Sequence, residues 1–223
     1  MINIPKDILT ETRIYHITHI DNLEGIIKYG EIYSKNHLPN NIKKNVMSIA
    51  NEEVQIKRSK KIIENTKENL HSYVPFYFAP RSPMLLVNHS NGVQREIIYL
   101  VTRAQDIGEG NLKFIFSDRH PVLRHAQFFT ELSYLNEIKW EIFFEPPLKG
   151  GYSEIWNSNH DNPMWVDRKE IRQAEFLVFK ELSWEFIRGI ATINEDIAEK
   201  VKTLFNNFNV KSKIVIKKPE WYY

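Results

Sequence analysis

Residues 97–102 read Ile-Ile-Tyr-Leu-Val-Thr, the most strand-like run in the 223-residue chain. β-Branched and aromatic residues favour extended backbone, and a run this apolar is typical of a strand covered on both faces. Further strand patterns lie at 13–18, 113–117, 173–180 and, near the end, at 190–193 and 213–217. The sequence therefore predicts a sheet whose strands come from the whole length of the chain.

Helical patterns lie between these strands. Leu23, Ile26 and Ile27 share one face of a predicted helix over 22–29, and Gly30 ends it. A second helix is predicted over 195–208, where Asn194 is the capping residue and apolar residues recur at helical spacing. Pro121, followed by apolar residues at 122, 123, 126 and 129, predicts a third helix, and a fourth with a basic face is predicted over 52–68. Because strands and helices do not alternate regularly, the fold class is α+β.

Two segments are irregular. Residues 73–86 combine aromatics with three prolines, so we expect a rigid extended segment that is neither a helix nor a central strand. Residues 145–167 form a Pro-, Gly-, Asn- and Trp-rich loop that is longer than ordinary connections, which indicates a functional loop.

Composition excludes several classes of protein. Apolar residues make up 42% of the chain and charged residues 26%, which is typical of a folded globular protein rather than a disordered one. The net charge of +2 does not by itself indicate a polyanion partner. Cysteine is absent, which removes disulfides and thiol chemistry and favours a reducing compartment such as the cytoplasm. We expect no signal peptide and no membrane partner.

The chain contains no internal repeat and no Gly/Ser-rich linker, so we expect one domain over 1–223. It also lacks a phosphate-binding P-loop, a G-x-G-x-x-G fingerprint and an H-E-x-x-H pair. The histidine spacings match no standard metal motif. The sequence therefore predicts no metal site, and attention turns to polar residues within apolar strands.

Glu175 begins the apolar strand pattern Glu-Phe-Leu-Val-Phe. A carboxylate is costly to bury unless it is paired or hydrogen-bonded. It is therefore either an exposed acid at a strand edge, paired with Arg168 or Arg172, or a fixed anion in a cleft that stabilises a developing cation. The sequence alone leaves both interpretations open.

Three further features have two interpretations each. His16 lies inside a strand pattern, where it is either a structural histidine or part of a site. Arg58 lies on a charged helix, where it is ordinary unless an anion approaches. The long loop and its flanks combine aromatic with basic side chains, which either fold the loop onto the core or bind single-stranded nucleic acid through stacking and phosphate contacts. These candidate DNA-binding residues are Tyr152, Trp156, Trp165, Arg168, Lys169 and Arg172.

Four blocks occur in order along the chain and together resemble the DarT family. They are Tyr-His-Ile-Thr-His-Ile-Asp-Asn-Leu at 15–23 with Gly25, Tyr-Val-Pro-Phe-Tyr-Phe-Ala-Pro-Arg-Ser-Pro-Met-Leu at 73–85, Asp-Arg-His at 118–120, and Arg-Gln-Ala-Glu-Phe-Leu-Val at 172–178. The resemblance implies an ADP-ribosyltransferase fold, with a split mixed sheet that holds NAD in its cleft. It implies transfer of ADP-ribose from NAD, the co-substrate, to thymidine in single-stranded DNA. It also implies a toxin whose partner is a macrodomain antitoxin of the DarG type.

The resemblance also implies roles for particular residues. Glu175 falls on the catalytic glutamate and Arg58 on the catalytic arginine, with Lys57 as the adjacent alternative for the cation. The loop before Glu175 corresponds to the substrate-recognition loop. The residues expected to hold NAD are His16, Ile17, Thr18, Asn22, Gly25 and Tyr33.

Two other functions remain open at this stage. The aromatic and basic residues are also compatible with a non-catalytic module that binds single-stranded nucleic acid. An ADP-ribosyltransferase that acts on RNA or protein differs from the first hypothesis only through the family resemblance. Whether the arginine accepts a proton from thymine or stabilises an anion is also open, since a guanidinium stays protonated in proteins and is a poor base.

Overall fold

The computed structural model describes residues 5–144 and 166–223, and its largest feature is an eight-stranded mixed sheet. The strands are β1 (Arg13–His19), β2 (Glu31–Tyr33), β3 (Tyr73–Tyr77), β4 (Ile97–Arg103), β5 (Phe114–Ser117), β6 (Phe128–Phe129), β7 (Glu175–Phe179), β8 (Glu181–Ser183), β9 (Gly189–Thr192) and β10 (Ile214–Lys217). The large sheet has the order β10-β9-β4-β1-β3-β7-β5-β6, and β2 pairs with β8 separately. Within the described residues β9 and β10 pair in parallel and the other pairs are antiparallel.

The helices connect and cover these strands. They are α1 (Asn22–Tyr29), α2 (Asn40–Lys43), α3 (Glu52–Lys60), α4 (Pro83–Ser90), α5 (Ala104–Glu109), α6 (Trp140–Phe144), α7 (Arg168–Ile171) and α8 (Glu195–Phe208). The sequence predicted α1 and α8 with these bounds. Gly30 ends α1 in the left-handed region at φ 72°, and the Asn194 side chain accepts a hydrogen bond from the Ile197 N–H at the start of α8.

β4 is buried on both faces, as its apolar sequence predicted. Ile98 and Leu100 face the main core together with apolar residues of α1 and α8, whereas Ile97 and Tyr99 face a second cluster that contains Leu85. All four β4 residues are fully buried. The prediction of an α+β fold is therefore confirmed, with a sheet covered on both sides.

A seam interrupts the large sheet between β1 and β3. In the described chain these strands pair only at Tyr15 and Tyr77. Two residues further along, the register would place Ile17 opposite Pro75, which has no N–H to donate. The Pro75 carbonyl faces β1, where it accepts a hydrogen bond from the His16 ring, so the missing N–H also lies on the β1 side. The ladder between β3 and β7 is consequently intact, and the sheet is split on the other side of β3.

This arrangement shows that the prediction for residues 73–86 was wrong. The segment contains a strand near the centre of the sheet, β3, and a helix, α4. Pro75 is tolerated because it faces the seam rather than a ladder. Pro83 is tolerated because it lies in the first turn of α4, where the side chain of Ser82 caps the helix by accepting from the Leu85 N–H.

The predicted helix after Pro121 was also wrong. Its apolar residues serve separate contacts: Val122 packs on a small cluster around Ile115, and Phe129 belongs to β6, where it pairs with Phe116. The predicted helix over 52–68 is shorter than expected. α3 ends at Lys60 because the backbone becomes extended at the next residue and the fully buried Ile63 follows.

Two searches of the described ranges, 5–144 and 166–223, gave negative results. Within them, no helix combines the length and the apolar character needed to cross a membrane. Within the same ranges, no group of three or more His, Asp or Glu side chains is arranged to hold a metal ion.

Candidate active site

Glu175 lies inside the sheet rather than at an exposed edge. It is the first residue of β7, which has β3 on one side and β5 on the other. Its backbone N–H donates to the Ser117 hydroxyl at 3.1 Å, and only 3% of the residue is exposed. Burial raises the pKa of its carboxyl, and the positive charge of Arg58 opposes that rise.

Arg58 is the partner of this carboxylate. Its Nη1 donates to Oε1 at 2.8 Å and to Oε2 at 2.9 Å, across 117 residues of sequence. Arg58 is the buried residue of α3, with 6% of its surface exposed, whereas Lys57 is exposed. The buried cation is therefore Arg58. The interpretation of Glu175 as an edge acid paired with Arg168 or Arg172 does not describe this structure.

The geometry of the pair leaves part of the arginine available. One nitrogen chelates both carboxylate oxygens, so the usual parallel two-nitrogen fork is not used. Nε and Nη2 of Arg58 have no hydrogen-bond acceptor among the described residues. A carboxylate has about four lone-pair sites, and Nη1 occupies two of them. Both side chains of the pair therefore keep unused hydrogen-bonding capacity.

A cavity of about 640 Å³ opens beside the seam and extends to Arg58. Every residue expected to hold NAD lines it, together with Arg58: these are His16, Ile17, Thr18, Asn22, Gly25 and Tyr33. Pro75 lines it too. Glu175 does not line the cavity itself, and Arg58 connects its carboxylate to that space. The structure thus brings the predicted binding residues and the predicted cation to one site.

Asn22 connects two segments that line the cavity. Its Nδ2 donates to the Thr18 hydroxyl at 3.0 Å and to the Met47 carbonyl at 2.9 Å, while its Oδ1 accepts from the Met47 N–H at 2.8 Å. One side chain therefore joins β1 to the segment that follows α2. Gly25 has a different relation to the cavity, because a Cβ added there would meet no protein atom within 4 Å. The space beside Gly25 is therefore open to a ligand.

Two histidines face the cavity in a neutral state. Burial lowers the pKa of His16, and its Nδ1 lies 2.9 Å from the Pro75 carbonyl. Because a carbonyl only accepts, Nδ1 carries the proton and Nε2 is left as an acceptor. His71 also lines the cavity and was missed by the sequence analysis. The available signal was its place two residues before the Tyr73–Tyr77 strand, beside polar Asn69 and Ser72.

The predicted DNA-binding residues are only partly within the described structure. Tyr152, Trp156 and Trp165 lie outside the described residues. In and beside α7, Arg168 is fully buried, Lys169 is exposed, and Arg172 is 6% exposed with its Nη1 donating to the Ile142 carbonyl. Their role in binding DNA stays a prediction.

Comparison with known proteins identifies the family. A family model described as "ssDNA thymidine ADP-ribosyltransferase, DarT" matches residues 15–223. The chain belongs to the DarT family. It is therefore an NAD-dependent DNA ADP-ribosyltransferase that modifies thymidine in single-stranded DNA, with NAD as co-substrate. The choice between an enzyme and a non-catalytic binding module, which the sequence left open, is decided in favour of the enzyme.

Individual DarT relatives agree with this assignment. A DNA ADP-ribosyl transferase from Thermus sp. (strain 2.9) is 38% identical in an alignment that covers 95% of this chain and 96% of the relative. One from Escherichia coli O127:H6 is 30% identical, with 82% and 81% covered. The solved structure "Thermus sp. 2.9 DarT in complex with ADP-ribosylated ssDNA" has a TM-score of 0.82 at 36% identity, with 96% of this chain and 97% of that chain covered.

Proposed function

We propose that Glu175 and Arg58 are the catalytic residues with which this DarT chain transfers ADP-ribose from NAD to thymine. The observation that carries the proposal is the buried Arg58–Glu175 pair at the cavity lined by all six expected NAD-holding residues. A solved Thermus sp. 2.9 DarT in complex with NAD+, with a TM-score of 0.78 and 36% identity, supports the same use of the fold. The family model over 15–223 also supports treating residues 1–223 as one ADP-ribosyltransferase domain.

The reaction exchanges one bond at the anomeric carbon of the nicotinamide ribose. The bond from C1′ to the nicotinamide nitrogen breaks, and nicotinamide leaves with the electron pair. A bond from C1′ to thymine N3 forms, and the N3 proton passes to solvent. Positive charge develops on the ribose between these events, as it does in glycoside hydrolysis. A fixed negative charge close to C1′ lowers the free energy of that transition state.

Glu175 supplies this negative charge and accepts a hydrogen bond from a ribose hydroxyl through its remaining lone pairs. Arg58 holds the carboxylate ionised and in place, because its charge opposes the effect of burial on the pKa of Glu175. A guanidinium is a poor base, so we assign Arg58 to stabilising the thymine anion or the NAD phosphates through Nε and Nη2. Removal of such a fixed group typically reduces the rate by about 10²–10³-fold.

The wall of the cavity positions NAD. We assign this role to His16, Ile17, Thr18, Asn22, Gly25 and Tyr33, which line the cavity. The target base has to be unstacked and unpaired to reach a site of this kind, which accounts for single-stranded DNA as substrate. We retain as proposed DNA contacts the residues of the loop and its flanks: Tyr152, Trp156, Trp165, Arg168, Lys169 and Arg172.

The experiment uses labelled NAD and two oligonucleotides, one with thymidine and one with uridine as its only pyrimidine. We expect label on the thymidine strand, and loss of at least about 10²-fold in rate for Glu175→Gln. Glu199→Gln is a control, because Glu199 is an exposed carboxylate of α8, and no residue of α8 lines the cavity. Undiminished transfer by Glu175→Gln contradicts the assignment of Glu175 as a catalytic residue. Labelling of the uridine oligonucleotide alone contradicts thymidine as the modified base.

The biological setting follows from the family. We propose that the chain is the toxin of a toxin–antitoxin pair, that its partner is a macrodomain antitoxin of the DarG type, and that both act in the cytoplasm, where NAD and DNA are present. A solved Thermosipho africanus DarTG in complex with ADP-ribose shares the fold, with a TM-score of 0.70 at 18% identity. Release of the label from modified DNA by a macrodomain protein co-expressed with this chain tests the partner.

A further inference from the structure

A group of cations lies beside the catalytic pair but outside the cavity. Lys57 and Lys60 are exposed residues of α3, and Lys61 follows directly after the helix. Residues three and four apart share one side of a helix, so these three lysines lie together. Arg124 is exposed in the loop between β5 and β6. We call Lys57, Lys60, Lys61 and Arg124 the basic face. None of these four described residues lines the cavity assigned to NAD.

Hydrogen bonds join the two segments of the basic face. The N–H of Lys61 donates to the Arg58 carbonyl at 3.2 Å, and its Nζ donates to the Leu123 carbonyl at 3.0 Å. The same Nζ lies 5.8 Å from the centre of the Phe128 ring. The loop residue directly before Arg124 is therefore fixed to the end of α3. The basic face is one surface, and it begins at the residue next to Arg58.

His120 shows how closely the same loop approaches the catalytic arginine. Burial, and next the charges of Arg58 and Lys57, lower the pKa of His120 to about 4. Charges have such an effect only at short range. The N–H of His120 also donates to the Glu170 carbonyl at 2.8 Å, so the loop packs on α7. The basic face therefore continues toward Lys169, an exposed residue already proposed to contact DNA.

The charges of the basic face are not compensated by acids of the fold. Within residues 5–144 and 166–223, Lys57, Lys60 and Arg124 form no ion pair. Glu53 lies one turn before Lys57 in the first turn of α3, where a carboxylate meets the positive end of the helix. Lys61 donates to a neutral carbonyl. An excess of positive charge is therefore exposed to solvent beside Arg58, and it suits a polyanion.

The substrate strand has to reach this part of the molecule. NAD occupies the cavity in the proposed function, so the strand that carries the thymine approaches Arg58 from outside that space. The basic face begins at the neighbouring residue of α3. Cations on a surface of this kind bind the phosphates of a single strand without reading its bases.

We propose that the basic face binds backbone phosphates of the single-stranded DNA whose thymine is modified. These contacts hold the strand beside Arg58 and Glu175 and do not depend on base sequence. They act in addition to the contacts proposed for the loop before Glu175 and its flanks. This inference rests on the proposed function, since it takes NAD as the occupant of the cavity and DNA as the acceptor.

The test compares Lys57→Gln/Arg124→Gln with the wild-type chain. Lys61 is kept, because its bond to Leu123 belongs to the fold. Binding is measured from 0.1 to 1 M salt for two oligonucleotides of equal length, one with a single thymidine and one with none. Each phosphate contact adds about 0.7 to the steepness with which log K falls with log salt for a single strand. We therefore expect the slope to become shallower by about 1.4 and the affinity at 0.1 M salt to fall about 25-fold.

Two comparisons separate phosphate binding from other causes. The loss should be equal for both oligonucleotides, because phosphates are common to them, and the affinity for NAD should not change. Lys200→Gln/Lys211→Gln is a control with the same change in net charge. Both lysines are exposed; Lys200 lies on α8, and Lys211 precedes β10, at the edge of the large sheet opposite to β5 and β6. The control should keep the wild-type slope and affinity.

Three results would overturn the inference: an unchanged slope and affinity in Lys57→Gln/Arg124→Gln, an equal loss in the control, or a loss confined to the oligonucleotide with thymidine. Failure of the proposed function is different, because the wild-type chain itself then neither binds NAD nor labels thymidine-containing DNA. If the wild type does both and Lys57→Gln/Arg124→Gln binds DNA equally well, only the assignment of the basic face is wrong.

Discussion

Replacing Arg58 by Met removes the cation that, among residues 5–144 and 166–223, contacts the Glu175 carboxylate, and it keeps most of the side chain's apolar volume. Glu175 is 3% exposed, so its charge cannot be satisfied by water. The carboxyl therefore takes up a proton when the variant folds. From the ordinary pKa of 4.5, protonation at pH 7.5 costs about 4 kcal/mol, at 1.36 kcal/mol for each pH unit. This is the upper limit of the decrease in the free energy of unfolding relative to the wild type, because burial already raises the pKa of Glu175 there.

The same reasoning fixes the pH dependence. In Arg58→Met the pKa of Glu175 in the folded state lies well above its value in the unfolded state. A group of this kind stabilises the fold below the unfolded pKa and loses that contribution as the pH rises. Relative to the wild type, the cost should therefore be at most about 4 kcal/mol at pH 7.5 and fall to at most about 1.4 kcal/mol at pH 5.5.

The double variant Arg58→Met/Glu175→Gln isolates the pair. Removing both charges leaves no buried ion, and such replacements are often close to neutral in stability. We expect the double variant to recover all but about 1 kcal/mol of the loss. Urea unfolding at the two pH values, followed by tryptophan fluorescence, measures these differences. For a chain of this length, 4 kcal/mol corresponds to about 8–16 °C in melting temperature.

Two results would refute the argument. A cost of Arg58→Met that is equal at pH 7.5 and pH 5.5 would mean that proton uptake by Glu175 is not its source. A double variant as unstable as Arg58→Met would mean that the arginine stabilises the fold through contacts other than its pair with the carboxylate.

Three further predictions concern activity and stability. The acid limb of the pH–rate profile should have its midpoint above 4.5, because burial raises the pKa of the carboxyl of Glu175 and the ionised form is required; a midpoint at or below 4.5 contradicts this. Asn194→Ala removes the cap of α8, which should lower the free energy of unfolding in urea by about 1 kcal/mol and leave the transfer rate unchanged. A slower transfer rate would contradict a purely structural role of this cap. Asn22→Ala removes the hydrogen bonds to Met47 and should raise the KM for NAD about 10-fold with little change in kcat. The exposed control Asn91→Ala should change neither constant. Equal effects of Asn22→Ala on KM and kcat would count against a purely positioning role.

Local patterns predicted the parts of the fold that local physics determines. The strand β4 and the capped amphipathic helix α8 lie where the sequence predicts them. Both depend on the pattern of residues that follow one another in the chain. Local patterns did not predict that Pro75 lies in a central strand. Whether a proline is tolerated in a strand depends on which neighbour lies on its N–H side, and that is a property of strand order, not of local sequence.

The site shows the same division. The sequence identified Glu175 as an unusual carboxylate and left its environment open, because burial and partner depend on β3, β5 and α3. The family resemblance selected Arg58 with Lys57 as the alternative, and in the structure Arg58 is the residue that forms the buried ion pair with Glu175. For His71 the sequence offers only a weak signal, its place just before β3 near polar Asn69 and Ser72. Only the three-dimensional arrangement shows that His71 lines the cavity and that its Nε2 is buried without a hydrogen-bond partner.

The interruption between β1 and β3 has a mechanical consequence. A continuous antiparallel ladder resists separation of its strands because several main-chain hydrogen bonds break together. Here one residue pair, Tyr15 and Tyr77, joins the two halves on that side, so widening the gap sacrifices almost no backbone bonding. A dinucleotide bound between the two halves would contact both of them and restrict their relative motion. Release of the products would remove that restriction.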